Sequence, residues 1–137
     1  MTDVFNNFDK RDFARPGRSN ALSSNAMLAS SHPIASSVGI EILKSGGNAV
    51  DAAIAMNAVL CIAEPHMTGV GGDCFVMLSV DGSTNIKALN GSGKSSSNAK
   101  ASALRKNKLS VITPEMPDAI TIPGAVAAWS LLHKEHG

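Results

Sequence analysis

The feature that most constrains the fold is an apolar run over residues 49–63, which is interrupted only by Asp51 and Asn57. A membrane-spanning helix needs about 20 apolar residues, so this shorter run predicts a helix buried inside a protein. Because the run is apolar on nearly every side, we expect the helix to be covered on nearly every side. A helix of this kind requires several other elements around it.

The composition also indicates that this helix needs more protein around it than the chain supplies. The 137 residues are enough for one ordinary domain, and 44% hydrophobic against 17% charged residues is typical of globular proteins. Aromatic residues make up only 4%, with no Tyr and a single Trp129, whereas a self-contained core usually holds larger side chains. The small residues suit close backbone packing within something larger, so we expect the chain to be a truncated part of a longer protein.

The charge and the cysteines exclude several classes of function. A formal net charge of +1 gives no electrostatic reason to expect nucleic acid or an anionic membrane as a partner. Cys61 and Cys74 have no partners at the spacing of metal ligands, so we expect no metal site and no disulfide framework.

The beginning of the chain is polar. We interpret residues 1–25 as an N-terminal arm, which contains the breaker Pro16-Gly17, and residues 26–137 as the folded part. No apolar stretch follows a basic start, which indicates the absence of a secretory signal and a cytoplasmic location.

Local patterns predict a mixed α and β fold. Residues 26–29 are typical of a short buried strand, and Pro33 is expected to begin a helix that ends at residues 45–47. Asn48 should then cap the apolar helix, with Asp51 beside the positive end of its dipole.

The second half of the chain predicts a hairpin and a final helix. A glycine-rich loop, residues 68–73, leads into a strand over residues 74–80, and Asp81-Gly82 predicts a hairpin turn to a strand over residues 84–89. Residues 124–136 predict an amphipathic helix; we expect its packed face to carry Val126, Trp129, Leu132 and His133.

The glycines and the polar loop after the hairpin invite two cofactor hypotheses. Residues 88–95 fit a relaxed phosphate-loop pattern, in which Lys94 and Ser95 would contact phosphate and magnesium. This pattern has Ala88 in place of its first glycine, and it lacks an apolar helix after it. We keep a small nucleotide-binding module as an alternative function.

The second cofactor hypothesis is a dinucleotide fingerprint at Gly69, Gly71 and Gly72, and we reject it. A helix precedes these glycines and a strand follows them, so the helix N-terminus that would bind pyrophosphate is missing. We expect no cofactor, and we interpret the loop as a turn with positive φ or as a place of tight backbone packing.

Several motifs together carry a resemblance to a known family. They are Ala-Ser-Ser-His-Pro-Ile-Ala at residues 29–35, the segment at residues 41–54, and Glu-Pro-His-Met-Thr-Gly-Val-Gly-Gly at residues 64–72. The hairpin and Ile-Pro-Gly-Ala-Val-Ala-Ala-Trp at residues 122–129 follow in the same order. Over roughly residues 16–137 the chain strongly resembles the opening of the γ-glutamyltranspeptidase family.

The resemblance implies an α+β fold, a portion of the αββα sandwich of the N-terminal-nucleophile hydrolases. Members of this family are made as one precursor that cleaves itself before a threonine, whose hydroxyl then acts as nucleophile with its own amine as base. That threonine attacks the amide of a γ-glutamyl compound such as glutathione and passes the acyl group to water or an amino acid. The resemblance places the nucleophile beyond residue 137, so we expect no catalytic residue here and no activity of this chain alone.

The implied partners are the rest of the large subunit, the small subunit of the same precursor and a small amide substrate; no nucleic acid and no membrane are expected. Glutamyl-specific members carry Asp-x-Arg-Glu-x-Ala-Pro after the second hairpin strand, and the arginine holds the substrate α-carboxylate through paired hydrogen bonds. Asn90, Ser92 and Lys94 lie in that stretch here, with Ser92 at or next to the arginine position. They are the candidate substrate-binding residues.

Because this chain has no arginine at that position, the resemblance does not identify the acyl group of the substrate. This stretch is more similar to a signal-less, cytoplasmic branch of the family, and Lys94 would be the nearest cation for a carboxylate. An acylase or amidase acting on another carboxyacyl group, such as a cephalosporin side chain, is therefore an alternative within the fold. A non-enzymatic remnant that does not fold alone is a third.

Overall fold

Two helices joined by a tight turn are the first helices or strands in the described part of the chain. The structure, a computed structural model, describes residues 20–137, so most of the predicted N-terminal arm lies outside the described residues. Helix α1, Pro33–Lys44, begins at the predicted proline, and His32 caps it by accepting a hydrogen bond from the Ile34 amide at Nδ1 (3.3 Å). The helix ends at Ser45, where Gly46 adopts a φ of +96° that an L side chain disfavours.

Helix α2, Ala49–Ala63, begins with the predicted cap. Asn48 Oδ1 accepts hydrogen bonds from the amides of Val50 (2.8 Å) and Asp51 (3.2 Å), and Asp51 Oδ2 accepts one from the Asn48 amide (3.0 Å). This reciprocal arrangement is a capping box, which satisfies amides that the first helical turn leaves without partners.

Helices α1 and α2 pack closely against each other because Gly39 has no side chain. A Cβ at Gly39 would lie 2.8 Å from Leu28 Cδ2 and 2.5 Å from Met56 Sδ. Both Gly39 and Met56 are buried. The small residue therefore brings the α1 backbone against α2 and leaves room for Leu28.

The burial predicted for α2 is wrong for the described part of the chain. Only Val50, Ala52 and Met56 of this helix are buried, and the side chain of Ile62 is 84% exposed. The reason is that α1 and a later helix over residues 125–136 are the only helices or strands within residues 20–137 that make substantial contact with α2.

The predicted strand at residues 26–29 is also wrong. The described part of the chain holds a single two-stranded sheet, and these residues do not belong to it. They line a groove together with Leu43, Ala52 and Met56, and Leu28 lies beside Gly39 of α1 and Met56 of α2.

The β-hairpin consists of β1, Cys74–Ser79, and β2, Ile86–Gly91, in antiparallel register from Cys74 opposite Gly91 to Ser79 opposite Ile86. Asp81 (φ 53°) and Gly82 (φ 66°) occupy the turn as predicted, since both residues have the positive φ of a type I′ turn.

The second strand begins two residues later than predicted. The hydroxyl of Ser79 donates to the Ser83 carbonyl (2.7 Å), and the Ser83 hydroxyl accepts from the Asn85 amide (3.0 Å). These local hydrogen bonds hold residues 83–85 in the loop and so delay the start of the ladder.

Helix α4, Ala125–His136, packs across the hairpin and against α2, after a short helix α3, Ala101–Lys106, and a 3₁₀ turn, Pro117–Ala119. Its predicted face is partly wrong, because Val126 is 52% exposed and His133 is also exposed, although Leu132 is buried and Trp129 is half-buried. The buried face of α4 instead carries Ala125, Ala128 and Leu132. The small side chain of Ala128 allows the backbone of the hairpin to approach the helix closely at Gly91. A Cβ at Gly91 would lie 2.5 Å from Ala128 Cβ.

Candidate functional site

Three segments that are distant in sequence meet where β2 ends. They are the end of the glycine-rich loop at residues 72–73, the last two residues of β2 with the loop that follows them at residues 90–95, and the segment that leads into α4 at residues 121–125. We call residues 90–95 the post-hairpin loop. The candidate substrate-binding residues all lie on it.

The carboxylate of Asp73 joins the other two segments. Its Oδ1 accepts a hydrogen bond from the Gly93 amide at 3.1 Å and another from the Thr121 hydroxyl at 3.2 Å. An ionised acceptor makes both hydrogen bonds stronger than a neutral one would. Asp73 therefore links the start of β1 to the post-hairpin loop and to the approach to α4.

Backbone hydrogen bonds complete the junction. The Ile122 amide donates to the Lys94 carbonyl at 2.9 Å, and Ser95 forms an isolated antiparallel bridge with Thr121. The Gly72 carbonyl accepts from the amides of Gly124 (3.1 Å) and Ala125 (3.0 Å), which supplies partners for amides at the start of α4.

Two glycines allow the segments to approach this closely. A Cβ at Gly93 would overlap the Ile122 carbonyl oxygen, and a Cβ at Gly124 would overlap the Gly91 carbonyl oxygen. Glycine is required at both positions by backbone packing against another segment, which is a constraint of space rather than of φ.

The structure places the three candidate residues on the surface. Asn90 is the last but one residue of β2, and its side-chain Oδ1 accepts a hydrogen bond from the Ser92 amide at 3.0 Å. Asn90, Ser92 and Lys94 are all exposed. They therefore share one short segment whose backbone is hydrogen-bonded to the exposed carboxylate of Asp73 and paired with residues 121–122.

The geometry of this loop does not support the nucleotide-binding alternative. A phosphate loop presents free backbone amides at the start of a helix, whereas the Gly93 amide donates to the Asp73 carboxylate. No helix follows directly, since α3 begins at Ala101 and has only six residues. The carboxylate would also repel a phosphate placed against that amide.

The glycine-rich loop is a turn of ordinary backbone conformation. The Gly72 amide donates to the Gly69 carbonyl at 3.0 Å, and the Gly72 carbonyl holds the start of α4. Within residues 20–137 the glycines with positive φ are Gly46 and Gly82, so of the two predicted explanations for this loop positive φ does not apply. Close backbone packing applies at Gly72, where a Cβ would lie 3.3 Å from the Gly69 carbonyl oxygen, but not at Gly69 or Gly71, where a Cβ would meet no atom within 4 Å.

Asp73 is the site residue that the sequence analysis missed. A carboxylate directly after two glycines and before a strand was the available signal, but its two hydrogen-bond donors lie 20 and 48 residues away. The described residues contain no group of three or more His, Cys, Asp or Glu side chains arranged as metal ligands.

A cleft of about 310 Å³ lies between α2, β1 and α4. Its walls include Val76, Leu78, Trp129 and Leu132, and Asp73 lies at its edge. The cleft combines the buried Leu132 with the half-buried Val76, Leu78 and Trp129, and the exposed Phe75 and Met77 also line it.

None of the helices within residues 20–137 combines the length and the apolar character that a bilayer span needs.

Comparison with known proteins identifies the family. The sequence profile of the family described as Gamma-glutamyltranspeptidase matches residues 35–137, which is most of the chain. The chain belongs to the gamma-glutamyltranspeptidase family. The resemblance seen in the sequence motifs is therefore confirmed.

Relatives of known sequence or structure agree with this assignment. A glutathione hydrolase-like YwrD proenzyme of Bacillus subtilis (strain 168) is 41% identical over 111 residues, which are 81% of this chain and 21% of that protein. The crystal structure of a cephalosporin acylase from Bacillus halodurans superimposes with a TM-score of 0.78 and 36% identity, and the match covers 94% of this chain and 24% of the acylase.

A second solved structure, the gamma-glutamyltranspeptidase of Helicobacter pylori, matches with a TM-score of 0.74 and 27% identity over 87% of this chain and 35% of that one. The hairpin and its helices are therefore part of the N-terminal-nucleophile hydrolase fold, as predicted. This chain spans 21% of the length of the curated relative, 24% of the acylase chain and 35% of the Helicobacter pylori chain.

Proposed function

We propose that this chain forms the N-terminal part of a gamma-glutamyltranspeptidase-like enzyme, which cleaves the amide of a γ-glutamyl or similar carboxyacyl compound such as glutathione. The observation that carries the proposal is the family match over residues 35–137. In this reaction a threonine hydroxyl outside the present residues attacks the amide carbonyl, the amine leaves, and the acyl ester passes to water or to an amino acid.

The contribution of this chain would be to bind the acyl group. Asn90, Ser92 and Lys94 are exposed together on the post-hairpin loop, where a substrate could reach them. The Lys94 ammonium would hold a substrate carboxylate through a single point of contact, because it lacks the planar pair of donors of arginine. We therefore expect weaker selection for a carboxylate than in members that carry arginine there.

The rest of the precursor would supply the partners. Large apolar side chains lie open on the described surface, among them Ile62 (84% exposed), Phe75 (69%) and Met77 (79%). Exposed apolar surface of this extent is typical of a face that another element covers. We propose that the remaining large-subunit segment and the small subunit of the same precursor cover it.

An acylase or amidase of the same fold remains the second candidate function. The similarity to the cephalosporin acylase structure and the serine near the family's arginine position both favour it. The two candidates share the threonine chemistry and differ in the acyl group that the post-hairpin loop accepts.

The experiment is an assay of the processed precursor and of the 137-residue chain with three p-nitroanilides. The γ-glutamyl substrate carries both an amine and a carboxylate, the glutaryl substrate carries only the carboxylate, and the 4-aminobutanoyl substrate carries only the amine. We expect the precursor to turn over at least one of the three and the chain alone to turn over none. Faster turnover of the glutaryl than of the γ-glutamyl substrate would identify the acylase.

The role of Lys94 is tested by variants of the precursor. Lys94→Ala should raise KM for the two carboxylate-bearing substrates by about ten-fold, because it removes one hydrogen bond to a charged group. KM for the 4-aminobutanoyl substrate, which has no carboxylate, should stay unchanged. Lys94→Arg should preserve the preference, and Lys100→Ala, which removes another exposed lysine six residues away, serves as the control. An equal change for all three substrates would contradict a carboxylate contact.

A further inference from the structure

One side chain from outside the post-hairpin loop, that of Asp73, accepts a hydrogen bond from the backbone of the loop at Gly93. We propose that Asp73 is a positioning residue, which holds this loop in the conformation that binds the acyl group. The inference rests on the proposed function, because it takes the loop to be the substrate-binding element. Asp73 does not itself need to touch the substrate.

The position of Asp73 is well determined by its neighbours. The preceding carbonyl, that of Gly72, accepts from both the Gly124 and Ala125 amides, and the following residue begins β1. The carboxylate thus extends from a backbone that is tied to α4 on one side and to the hairpin on the other. Because the backbone of Asp73 is fixed in this way, its carboxylate can restrain the post-hairpin loop.

One of the two hydrogen bonds of Asp73 reaches the middle of the loop. Gly93, whose amide donates to Oδ1, lies between Ser92 and Lys94, which are both exposed candidates for substrate contact. The other end of the loop is held by the Lys94 carbonyl and the Ser95 bridge to Thr121. Asp73 also holds Thr121, so the loss of its carboxylate would loosen both sides of this junction.

Release of the post-hairpin loop from Asp73 should change KM for the acyl donor and leave kcat nearly unchanged. If only a fraction of molecules has the loop in its binding conformation, the apparent affinity falls by that fraction. Loss of two charge-assisted hydrogen bonds would leave the loop displaced in most molecules, so KM for the acyl donor should rise by about ten-fold or more. The threonine chemistry takes place elsewhere, so kcat should change by less than about two-fold.

The test compares four variants of the precursor that carries this chain. Asp73→Ala removes the acceptor for both donors and should show the full increase in KM. Asp73→Asn keeps an oxygen acceptor without the charge and should restore KM to within about three-fold of the parent. Thr121→Val removes one donor only and should lie between the two.

The charge control is Asp81→Asn, which removes a carboxylate from the hairpin turn, where asparagine tolerates the positive φ. A second readout follows the loop directly. Hydrogen–deuterium exchange, measured by mass spectrometry on a peptide that contains residues 90–95, should be faster in Asp73→Ala than in the parent and in Asp81→Asn.

The outcomes separate this inference from the proposed function. An active precursor whose KM and loop exchange are both unchanged by Asp73→Ala overturns the positioning role and leaves the proposed function intact. A lower yield or unfolding temperature with unchanged KM in the surviving enzyme also overturns it, since that is a purely structural effect. If Asp73→Ala does not fold, Thr121→Val and Asp73→Asn decide by the same criteria.

A parent precursor that turns over none of the three anilides overturns the proposed function and, with it, the role of Asp73 in binding. In that case the exchange of residues 90–95 still reports whether Asp73 holds the loop. Faster loop exchange together with a selective rise in KM supports the inference.

Discussion

Nδ1 of His133 lies 3.1 Å from Oδ1 of Asp51, which joins the last turn of α4 to the first turn of α2 across 82 residues of sequence. A second contact lies beside it, in which the Asn48 side-chain Nδ2 donates to the His136 carbonyl at 2.6 Å. The positive end of the α2 dipole thus meets the negative end of the α4 dipole. Capping side chains therefore add hydrogen bonds to the packing of α4 against α2.

The ionisation of Asp51 should make this junction sensitive to acid. The hydrogen bond from the Asn48 backbone amide, with a further contribution from His133, lowers the pKa of the Asp51 carboxyl below its usual 3.8. A folded-state pKa below the unfolded one adds stability above pH 3.8, and this stability is lost as the pH falls through the lower folded value.

We therefore expect Asp51→Asn to lower the unfolding temperature at pH 6, where the parent carboxylate is charged. The difference from the parent should shrink as the pH falls below 3.8. Thermal unfolding followed by circular dichroism between pH 2.5 and about 6 measures it. A difference that stays constant over this range would contradict the prediction, and Asp81→Asn is the control for a general loss of charge.

Asn48 should stabilise the fold through two hydrogen-bonding roles that different substitutions can separate. Asn48→Ser keeps an acceptor for the α2 amides but cannot reach the His136 carbonyl, and it should cost about 1 kcal/mol of unfolding free energy. Asn48→Ala loses the cap as well and should cost about 1 kcal/mol more. Urea unfolding of both variants measures the two steps, and equal costs would show that only one of the roles matters.

Gly93 should not tolerate a side chain. Gly93→Ala places a Cβ on the Ile122 carbonyl oxygen, so the two segments must separate, and the free energy of unfolding should fall by more than about 1 kcal/mol. Gly71→Ala is the matched control, because a Cβ there meets no atom within 4 Å and the backbone φ is not positive. Similar unfolding temperatures for the two variants would contradict the close approach.

The exposed face of β1 should matter only in the longer protein. Phe75→Ser should change the unfolding temperature of the 137-residue chain by little, because the ring is already 69% exposed. In the precursor we expect the ring to be covered, so the same change should destabilise it by about 2 kcal/mol or more. Differential scanning fluorimetry on both proteins compares the effects, and equal shifts would count against a covering partner.

Local chemistry made much of the fold predictable. Pro33, Asn48 with Asp51, and Asp81-Gly82 act within a few residues of themselves, and each lies at the helix start, helix cap or turn that the sequence predicted. The family could also be predicted, because its motifs occur in order along one chain. The substrate-binding roles of Asn90, Ser92 and Lys94 remain a prediction.

The failures have a common cause in contacts made at long range. Periodicity alone favoured Val126 and His133 for the packed face of α4, whereas the hairpin backbone at Gly91 packs on the Ala128 side. Residues 26–29 have the apolar character of a strand, but they lie against α1 and α2 instead of beside another strand.

Motifs and neighbouring residues were thus sufficient to predict the family, the helix caps, the hairpin turn and the need of the long apolar helix for partners. The contacts of Asp73 with Gly93 and Thr121, and of Asp51 with His133, became visible only in the folded chain. Those hydrogen bonds join residues that are 20 to 82 positions apart in the sequence. A local sequence pattern cannot predict them, because the donor and the acceptor come together only when the chain folds. The caps and turns form from neighbouring residues, whereas the junctions form only when the segments pack.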